Sequence, residues 1–522
     1  MPSTATQRRF PWRPFLGLLV ILGGAAAYLV SVFWAESHRF SQPLEESQQV
    51  AEVPEAEVRR LCTACHAYPP PDALPRSAWA KEVNLGFRFA YEAGLTRSGA
   101  SNPKGVLKYY ESRAPESLPL DPFPMLTTTL PVRLDRTTLS LPGDEQRAVV
   151  SCVKLVALTR DPPSELLACD ARTNQILLAD LTQPAPAWKV LATASHPARV
   201  EVVDLDGDGI RDILVANLGE YFPSDGLKGS VVWLRGRPDG SFTPITLLEG
   251  VGRVADVKVA DFNGDGKLDV AVAVFGWRAT GELLLLENHT TDWNKPTFET
   301  RVLDKRHGAT ELAIGDLNGD GRPDIVCLFS QEHEAVVAFL SDGRSGFKTE
   351  TIYQGPHPIY GCCGIELVDL DGDGDLDVLL VNGDALDQPV LKPYHGVQWL
   401  ENTGRYPFTH HRVGQLCGVI AARTLDFNGD GKLGIAAICY LPARDFPQRE
   451  ERRMPALVLY EQVERGQFRP LVLEVGCCDN LSLAVGRLPG DRLPSLVVGH
   501  GDFVKESGRL DAVTIWRNRG RP

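Results

Sequence analysis

Two cysteines and a histidine near the amino terminus have residue types and a spacing that point to a specific chemistry. Cys62, Cys65 and His66 stand in the run LCTACH, which contains the pattern C-x-x-C-H. Two thiols one helical turn apart can form thioethers with the vinyl groups of a haem, and the adjacent imidazole can ligate the iron. A thioredoxin-like redox pair would not need His66, and no βαβ pattern surrounds the motif. The sequence therefore predicts one covalently attached haem c.

The sequence offers one candidate for the sixth ligand of that iron. Between His66 and the repeats described below there is no second histidine, and Met125 is the only methionine. A sulfur ligand from Met125 would give a low-spin, electron-transfer haem with a raised potential. If Met125 is instead a core or linker residue, the iron stays open to ligands. Both alternatives are compatible with the sequence.

The segment Pro54–Leu126 resembles a small cytochrome c domain. Its run PEAEVRRL before the motif consists of good helix formers. The later runs HAYPPPDALPRSAW and KYYESRAPESLPL are similar to the haem-binding domains of some bacterial repeat proteins. The resemblance implies a small α-helical domain, which we predict at residues 54–128.

A nine-residue acidic motif recurs through the rest of the chain. Its first four copies begin 53 to 57 residues apart and carry oxygen-bearing side chains at positions 1, 3, 5 and 9. A fifth copy, Asp426–Gly434, lacks the last carboxylate, and two degenerate copies stand at Ala157–Glu165 and Arg487–Ser495. The candidate ligands of the four complete copies are Asp204, Asp206, Asp208, Asp212, Asp261, Asn263, Asp265, Asp269, Asp316, Asn318, Asp320, Asp324, Asp369, Asp371, Asp373 and Asp377.

The seven copies predict a mainly β, seven-bladed β-propeller over residues 129–522. In each unit an alternating strand leads into the motif, an apolar strand leaves it, and a hairpin follows, which makes four strands per blade. The last unit stops after Val513–Trp516 and lacks its fourth strand. We predict that Val132–Leu141 supplies this strand and closes the ring, because an open ring would leave sheet edges unpaired.

The motif has the chemistry of a hard-cation site. Side-chain oxygens at four positions, with the backbone carbonyl at position 7, suit the six to eight oxygen ligands of calcium. An EF-hand is excluded because position 12 is Val215, Val272, Cys327 or Leu380 instead of glutamate. Magnesium is disfavoured because it prefers to keep its waters. We expect about four calcium ions, which would change the net charge from −13 to −5.

These repeats resemble the FG-GAP/VCBS family, which includes the propellers of integrin α-chains and of many exported bacterial proteins. The resemblance covers Ala148–Asn518 and depends on the calcium loops. It implies a propeller fold with structural calcium and a binding or scaffolding role. It implies no reaction, since a fold does not by itself define one.

Nine cysteines remain beyond the haem motif. Cys152, Cys169, Cys327 and Cys439 are predicted to be buried core thiols. Five more precede the first strand of three successive blades, where disulfides are the favoured interpretation for a protein outside the cytoplasm. A soft-metal or redox site with His307 and His357 is the alternative. The five are Cys362, Cys363, Cys417, Cys477 and Cys478.

The amino terminus predicts a membrane anchor. Pro14–Trp34 is twenty-one residues long without a charge, which is enough to span a bilayer. Three arginines precede it and acidic residues follow, so the positive-inside rule places the remainder of the chain outside the cytoplasm. A cleaved signal peptide is the alternative, although its apolar core is usually shorter. We predict a cytoplasmic tail at 1–13, an anchor at 14–35 and a linker at 36–53.

Composition and charge limit the possible functions. The 522 residues carry 54 Lys and Arg against 67 Asp and Glu, so nucleic-acid binding is disfavoured. The leading hypothesis is a membrane-anchored, periplasmic or cell-surface cytochrome whose propeller docks a redox partner protein or a polysaccharide. The alternatives are a haem-linked oxidoreductase with its substrate at the mouth of the propeller channel, and an adhesion or sensor protein without catalysis. No nucleophile elbow, phosphate loop or zinc-protease signature is present.

Overall fold

A computed structural model describes residues 50–94, 102–142, 148–159, 161–344, 346–501 and 511–521. The contacts divide the chain into two compact units, Met1–Leu118 and Pro119–Pro522. The predicted tail and anchor, and most of the predicted linker, lie outside the described residues. Within the described part of the chain, no helix is both long and apolar enough to cross a membrane.

The first unit is a small helical body. Its helices are α1 (Glu55–Cys62), α2 (Trp79–Glu92) and α3 (Pro103–Arg113), with 3-10 turns at Pro71–Ala73 and Arg76–Ala78. Aromatic side chains fill its core, and the rings of Trp79 and Tyr110 stack with centroids 3.9 Å apart. The predicted helical body before the propeller is therefore present.

The second unit contains seven antiparallel sheets of four strands each. Blades 1 to 6 take consecutive strands from β2 to β25, and blade 7 combines β26, β27 and β28 with β1. The strands of blades 1 to 4 are β2 Val150–Val156, β3 Glu165–Asp170, β4 Gln175–Asp180, β5 Trp188–Thr193, β6 Pro197–Val203, β7 Asp212–Asn217, β8 Gly229–Gly236, β9 Phe242–Val251, β10 Val254–Ala260, β11 Asp269–Val274, β12 Glu282–Asn288, β13 Phe298–Asp304, β14 Ala309–Gly315, β15 Asp324–Phe329, β16 Ala335–Ser341 and β17 Phe347–Gln354. Those of blades 5 to 7 are β18 Cys362–Val368, β19 Asp377–Asn382, β20 Gly396–Glu401, β21 Thr409–Gln415, β22 Val419–Leu425, β23 Gly434–Cys439, β24 Pro455–Glu464, β25 Gln467–Val475, β26 Asn480–Gly486, β27 Ser495–His500, β28 Val513–Asn518 and β1 Leu134–Leu139.

The ring closes as the sequence predicts. Strand β1 pairs antiparallel with β28, with Leu134 opposite Asn518 and Leu139 opposite Val513. The first strands of successive blades contact one another, and β26 contacts β2. The two ends of the propeller segment thus meet in blade 7, and the closed ring leaves no open side where an eighth blade would fit.

Apolar packing between blades stabilises the ring. The second strand of every blade is buried along its whole length, because neighbouring blades cover both of its faces. A separate cluster of buried aliphatic and aromatic side chains fills each of the seven seams between adjacent blades. The apolar strands that follow the acidic motifs therefore form the core, while the motifs stay at the ends of strands.

Candidate metal and haem sites

The five acidic loops occupy equivalent positions in blades 2 to 6. Each loop begins directly after the first strand of its blade and ends at the first residue of the second strand. In blade 2, for example, Asp204 follows β6 and Asp212 begins β7. The equivalence places all five loops at the same end of the ring.

Hydrogen bonds within each loop organise the carboxylates before any cation arrives. In blade 2 the two Asp204 oxygens accept from the backbone N–H groups of Asp208 (3.1 Å) and Gly209 (2.9 Å). The Asp208 Oδ1 atom accepts from the N–H of Ile210 (2.9 Å). Gly207 and Gly209 have φ angles of 70° and 86°, which residues with a side chain rarely adopt. The same pattern recurs in the other four loops.

Position 9 of the motif has a structural role of its own. The Asp212 side chain is 1% exposed and accepts from the N–H groups of Leu205 (3.0 Å) and Gly236 (2.7 Å), which ties the loop to β8. In blade 7, Ser495 makes the equivalent bond to the N–H of Asn518 (2.9 Å) without a carboxylate. Position 9 therefore serves the fold in addition to any role as a ligand.

Burial perturbs the carboxyl groups at position 9. It raises the pKa of Asp212, Asp269 and Asp377 to about 6 each, although backbone hydrogen bonds partly oppose the shift. Burial also raises the pKa of Asp324. These groups are held in an environment where a negative charge lacks full compensation.

In the two loops with aspartate at position 3, three carboxylates converge. Atoms of Asp204, Asp206 and Asp212 lie within 4.8 Å of one another, and so do the equivalent atoms in blade 5. An arginine from outside the loop partly neutralises each group: Arg235 Nη2 is 2.5 Å from Asp206 Oδ2, and Arg465 Nη2 is 2.6 Å from Asp371 Oδ2. The Oδ1 atom of each position-3 aspartate accepts a hydrogen bond from the N–H at position 5 of its own loop (3.3 Å in blade 2 and 3.2 Å in blade 5).

The structure explains why the fifth loop lacks its last carboxylate. A Cβ atom at Gly434 would lie 2.7 Å from a ring carbon of Phe427 and 2.8 Å from the carbonyl oxygen of Tyr460. Both are packed in the blade 6 core, so no side chain fits at this position. Packing in the core of blade 6 therefore excludes a carboxylate at position 9 of the fifth loop.

We expect Gly434→Asp to destabilise the propeller instead of completing a fifth site. Overpacking against Phe427 and Tyr460 should lower the free energy of unfolding by about 1–3 kcal/mol. Thermal melts with calcium present will measure the loss. Gly434→Ala is the matched variant, since it adds the clashing Cβ without a charge. A higher melting temperature in calcium for Gly434→Asp would contradict the steric explanation.

The haem-motif residues lie at the end of α1. Cys62 is the last residue of the helix, and its Sγ atom is 3.4 Å from the Tyr110 hydroxyl. Burial raises the pKa of the Cys62 thiol, while Cys65 is exposed. His66 Nδ1 donates a hydrogen bond to the carbonyl oxygen of Ala67 (2.7 Å), so the Nε2 atom keeps its lone pair.

Met125 belongs to the second compact unit. Its side chain is 81% exposed. The next residues attach to blade 6, because Leu126 forms a parallel bridge with Val472 and Thr127 N–H donates to the Val472 carbonyl oxygen (2.9 Å). The predicted Met125–iron bond remains a prediction.

The five cysteines at or just before the starts of first strands do not form the predicted disulfides. Cys362, Cys363, Cys417 and Cys478 carry free thiols, and burial raises the pKa of each one. The Cys477 thiol lies 3.3 Å from an Asp479 oxygen. Among the described residues, no group of three or more metal-ligating side chains includes a cysteine. The disulfide interpretation and the soft-metal interpretation of these thiols are both unsupported.

The seven first strands surround a central cavity of about 860 Å³. Charged residues line it and pair across blades. Arg199 of blade 2 contacts Asp256 of blade 3 (3.4 Å) and Glu311 of blade 4 (3.2 Å), and Arg423 of blade 6 reaches Glu311 (3.0 Å). Because both signs are present and paired, the cavity wall is polar without a large net charge.

One cluster was not found in the sequence. Glu332 and His333, in the turn between β15 and β16, join His307, which lies before β14. The sequence connects His307 only with the cysteines. His357, the other histidine of that interpretation, lies against Tyr394, with ring centroids 4.9 Å apart. Twenty-four residues separate His307 from Glu332 without any motif spacing that would connect them.

Comparison with a protein-family model supports the repeats. A family model described as FG-GAP-like repeat matches residues 204–272 and 316–380, which contain the four complete loops. Selenomethionine-substituted virginiamycin B lyase from Staphylococcus aureus is similar at 10% identity, with a TM-score of 0.45, over 74% of this chain and 99% of that chain. No curated protein matches the sequence. The chain is a mainly β protein with a seven-bladed propeller and FG-GAP-like repeats, preceded by a small helical unit.

Proposed function

We propose that this protein is a membrane-anchored, extracytoplasmic c-type cytochrome that transfers electrons through one covalent haem. The small helical unit carries the haem on Cys62, Cys65 and His66. The propeller serves as a calcium-stabilised docking module for a redox partner protein or a polysaccharide. The segment 14–35 anchors the chain in the membrane, and nucleic acid is not a partner.

The orientation of His66 is the observation that carries the haem proposal. Its Nδ1 proton is held by a backbone carbonyl, which fixes the tautomer that presents Nε2 to a metal. Cys62 and Cys65 stand on the preceding turn, so both thiols and the imidazole meet the requirement of the C-x-x-C-H pattern. A haem bound there would supply one-electron transfer.

The acidic loops support calcium as the second cofactor. Their donors are carboxylate and amide oxygens, which calcium prefers, and the position 9 carboxylates are buried without full charge compensation. A bound dication would relieve that cost. Asp204–Asp212, Asp261–Asp269, Asp316–Asp324 and Asp369–Asp377 are the four proposed sites.

We predict that Cys62→Ser and Cys65→Ser each remove one thioether, and that the double variant loses covalent haem entirely. The full chain should be produced with a c-haem maturation system, and its mass and visible spectrum should be measured after denaturation. Cys477→Ser is the control, since Cys477 lies outside the motif and should leave the haem content unchanged. A wild-type chain that matures without covalent haem would refute the cytochrome proposal.

The same preparation tests the proposed sixth ligand. If Met125 ligates the iron, the reduced spectrum is low-spin and carbon monoxide leaves it unchanged, whereas Met125→Ala exposes the iron to carbon monoxide. A wild-type haem that already binds carbon monoxide would exclude Met125 and favour a sensing or catalytic role.

A haem-linked oxidoreductase is the second candidate function. The charged cavity of about 860 Å³ has the size of a small-molecule site. Reduction of the haem on addition of a substrate would favour this enzyme. Calcium-dependent binding of a partner without turnover would favour the docking role, including a purely adhesive one.

A further inference from the structure

Two turns of blade 4 meet at the end of the ring opposite the acidic loops. One turn precedes β14 and contains His307 and Gly308, and the other joins β15 to β16. A backbone hydrogen bond joins them, because the Ser330 N–H donates to the Gly308 carbonyl oxygen (2.8 Å). The Gly308 N–H in turn donates to the Phe275 carbonyl oxygen of blade 3 (2.9 Å). This contact brings together side chains that are distant in the sequence.

Three metal-ligating side chains converge where these turns meet. His307 Nε2 is 2.9 Å from Glu332 Oε1, and the rings of His307 and His333 have centroids 4.8 Å apart. One ligand atom from each of the three residues lies within 4.8 Å of the other two. The His333 Nε2 atom is buried and has no hydrogen-bond partner. An unpaired buried nitrogen is costly unless something binds it.

The backbone fixes these side chains in place. The His333 N–H donates to the Ser330 carbonyl oxygen (3.3 Å), and Gln354 Nε2 donates to the His333 carbonyl oxygen (2.7 Å). On the other side, a Cβ atom at Gly281 would lie 2.4 Å from His307 Cα, so the histidine packs directly against the backbone of blade 3. The arrangement is therefore preorganised, as a binding site requires.

The local charges suit a cation. Arg306, the neighbouring cation, pairs with Asp304 at 2.7 Å instead of with Glu332. Burial acts to raise the pKa of Glu332, but hydrogen bonding and charge from His307 outweigh it and lower the pKa to about 2. Burial lowers the pKa of His333, which keeps that imidazole neutral at pH 7. Because Arg306 is paired with Asp304, the Glu332 carboxylate can supply the negative charge that a divalent cation requires.

We propose that His307, Glu332 and His333 form a binding site for a divalent transition-metal ion, with zinc as the best fit. Two imidazole nitrogens with one carboxylate oxygen are a zinc donor set, whereas calcium takes oxygen ligands. A bound ion would replace the direct contact between His307 Nε2 and Glu332 Oε1. Three protein ligands leave a coordination position for water or for a ligand.

The proposed site lies beside the central cavity. Ser330, Gln331 and Thr310, which neighbour the ligands in the chain, line that cavity, and Thr310 Oγ1 is 2.7 Å from Ser330 Oγ. The acidic loops and the proposed zinc site therefore stand at opposite ends of the ring and differ in donor chemistry. Each should bind its own ion independently of the other.

Zinc titration of the haem-loaded full chain in excess calcium tests this site. We expect one zinc ion per chain in calorimetry, with affinity reduced about 100-fold or more in His333→Gln and His307→Gln. Glu332→Gln keeps the shape of the side chain and should also weaken binding. His289→Gln is the control, because His289 stands 3.5 Å from Glu299 in an exposed pair and should not matter.

Two further measurements exclude misfolding of the variants and zinc binding by cysteines. Calcium content and melting temperature of each variant must equal those of the wild type, and Glu332→Gln provides the test if a histidine variant misfolds. Cobalt bound in place of zinc should show ligand-field bands without thiolate charge-transfer absorption. Unchanged zinc affinity in Glu332→Gln and His307→Gln/His333→Gln, a cobalt–thiolate spectrum, or no zinc binding by the wild type would overturn the proposal.

Discussion

Chelation of calcium is expected to lower the melting temperature of the full-length protein by roughly 10–20 °C. A ligand present at 100 times its dissociation constant stabilises the folded state by about 2.7 kcal/mol, and four independent loops would contribute about 10 kcal/mol. One kcal/mol shifts the melting temperature of a 150–250-residue domain by about 2–4 °C, and a larger propeller shifts less. Calorimetry of the same sample with calcium and with chelator measures the difference.

The physical reason lies in the buried carboxylates at position 9. The pKa of Asp212, Asp269 and Asp377 is raised to about 6 in the folded protein, above the value of about 3.9 for an unfolded chain. A raised acid pKa means that the metal-free fold binds protons more tightly than the unfolded chain. Ionisation of these groups therefore lowers the free energy of unfolding of the metal-free protein as the pH rises from about 4 to about 6. The chelator effect should be larger at pH 7 than at pH 5.

Matched variants separate calcium binding from loop structure. Asp204→Asn keeps a hydrogen-bond acceptor for Gly209 but removes a ligand charge, so it should lose one calcium ion and part of the chelator effect. Asp426→Asn makes the same change in the loop that ends at Gly434, and the calcium content should stay constant there. An unchanged melting curve in chelator, with no calcium found by elemental analysis, would refute structural calcium.

The fold was predictable because the information for it is local and repeated. Each blade contains the same order of alternating strand, acidic turn and apolar strand. Because the pattern recurs seven times, a unit with a degenerate motif can be identified from the spacing of the others. Even the long-range pairing of Leu134–Leu139 with Val513–Asn518 followed from counting strands, since the last unit is one strand short. The haem motif and the acidic loops were visible for the same reason, because their ligands are close in the sequence.

Features that depend on packing could not be predicted. Gln331 and Glu334 adopt φ angles of 59° and 45°, without the glycine that would reveal such a turn in the sequence. This turn brings Glu332 and His333 to His307. The prediction of disulfides was wrong for a related reason, because neighbouring positions at the starts of first strands did not bring the sulfur atoms together. The Cys363 and Cys417 thiols donate to backbone carbonyl oxygens instead.

The buried ion pair between blades 6 and 7 should carry the largest single-residue effect on stability. Arg449 and Asp479 have side chains only 2% and 4% exposed, and their two bonds measure 2.6 and 2.9 Å. Arg449 also donates to the carbonyl oxygens of Leu441 and Cys478. Burial opposes the charge of Arg449, but Asp479 outweighs it and raises the arginine pKa. Asp479→Asn should cost about 3–5 kcal/mol, because it leaves an uncompensated buried charge.

The size of that cost distinguishes a charge effect from simple loss of a contact. Asp445 lies in the same loop as Arg449 and pairs with Arg444, whose side chain is 59% exposed. Asp445→Asn should therefore lower the free energy of unfolding by less than about 1 kcal/mol. Removing both charges with Arg449→Met/Asp479→Leu should recover most of the stability lost in Asp479→Asn, since desolvation of the arginine is then avoided. Thermal melts of the four proteins in excess calcium provide the test. If the double variant is as unstable as Asp479→Asn, the Arg449 hydrogen bonds, and not its charge, hold this seam together.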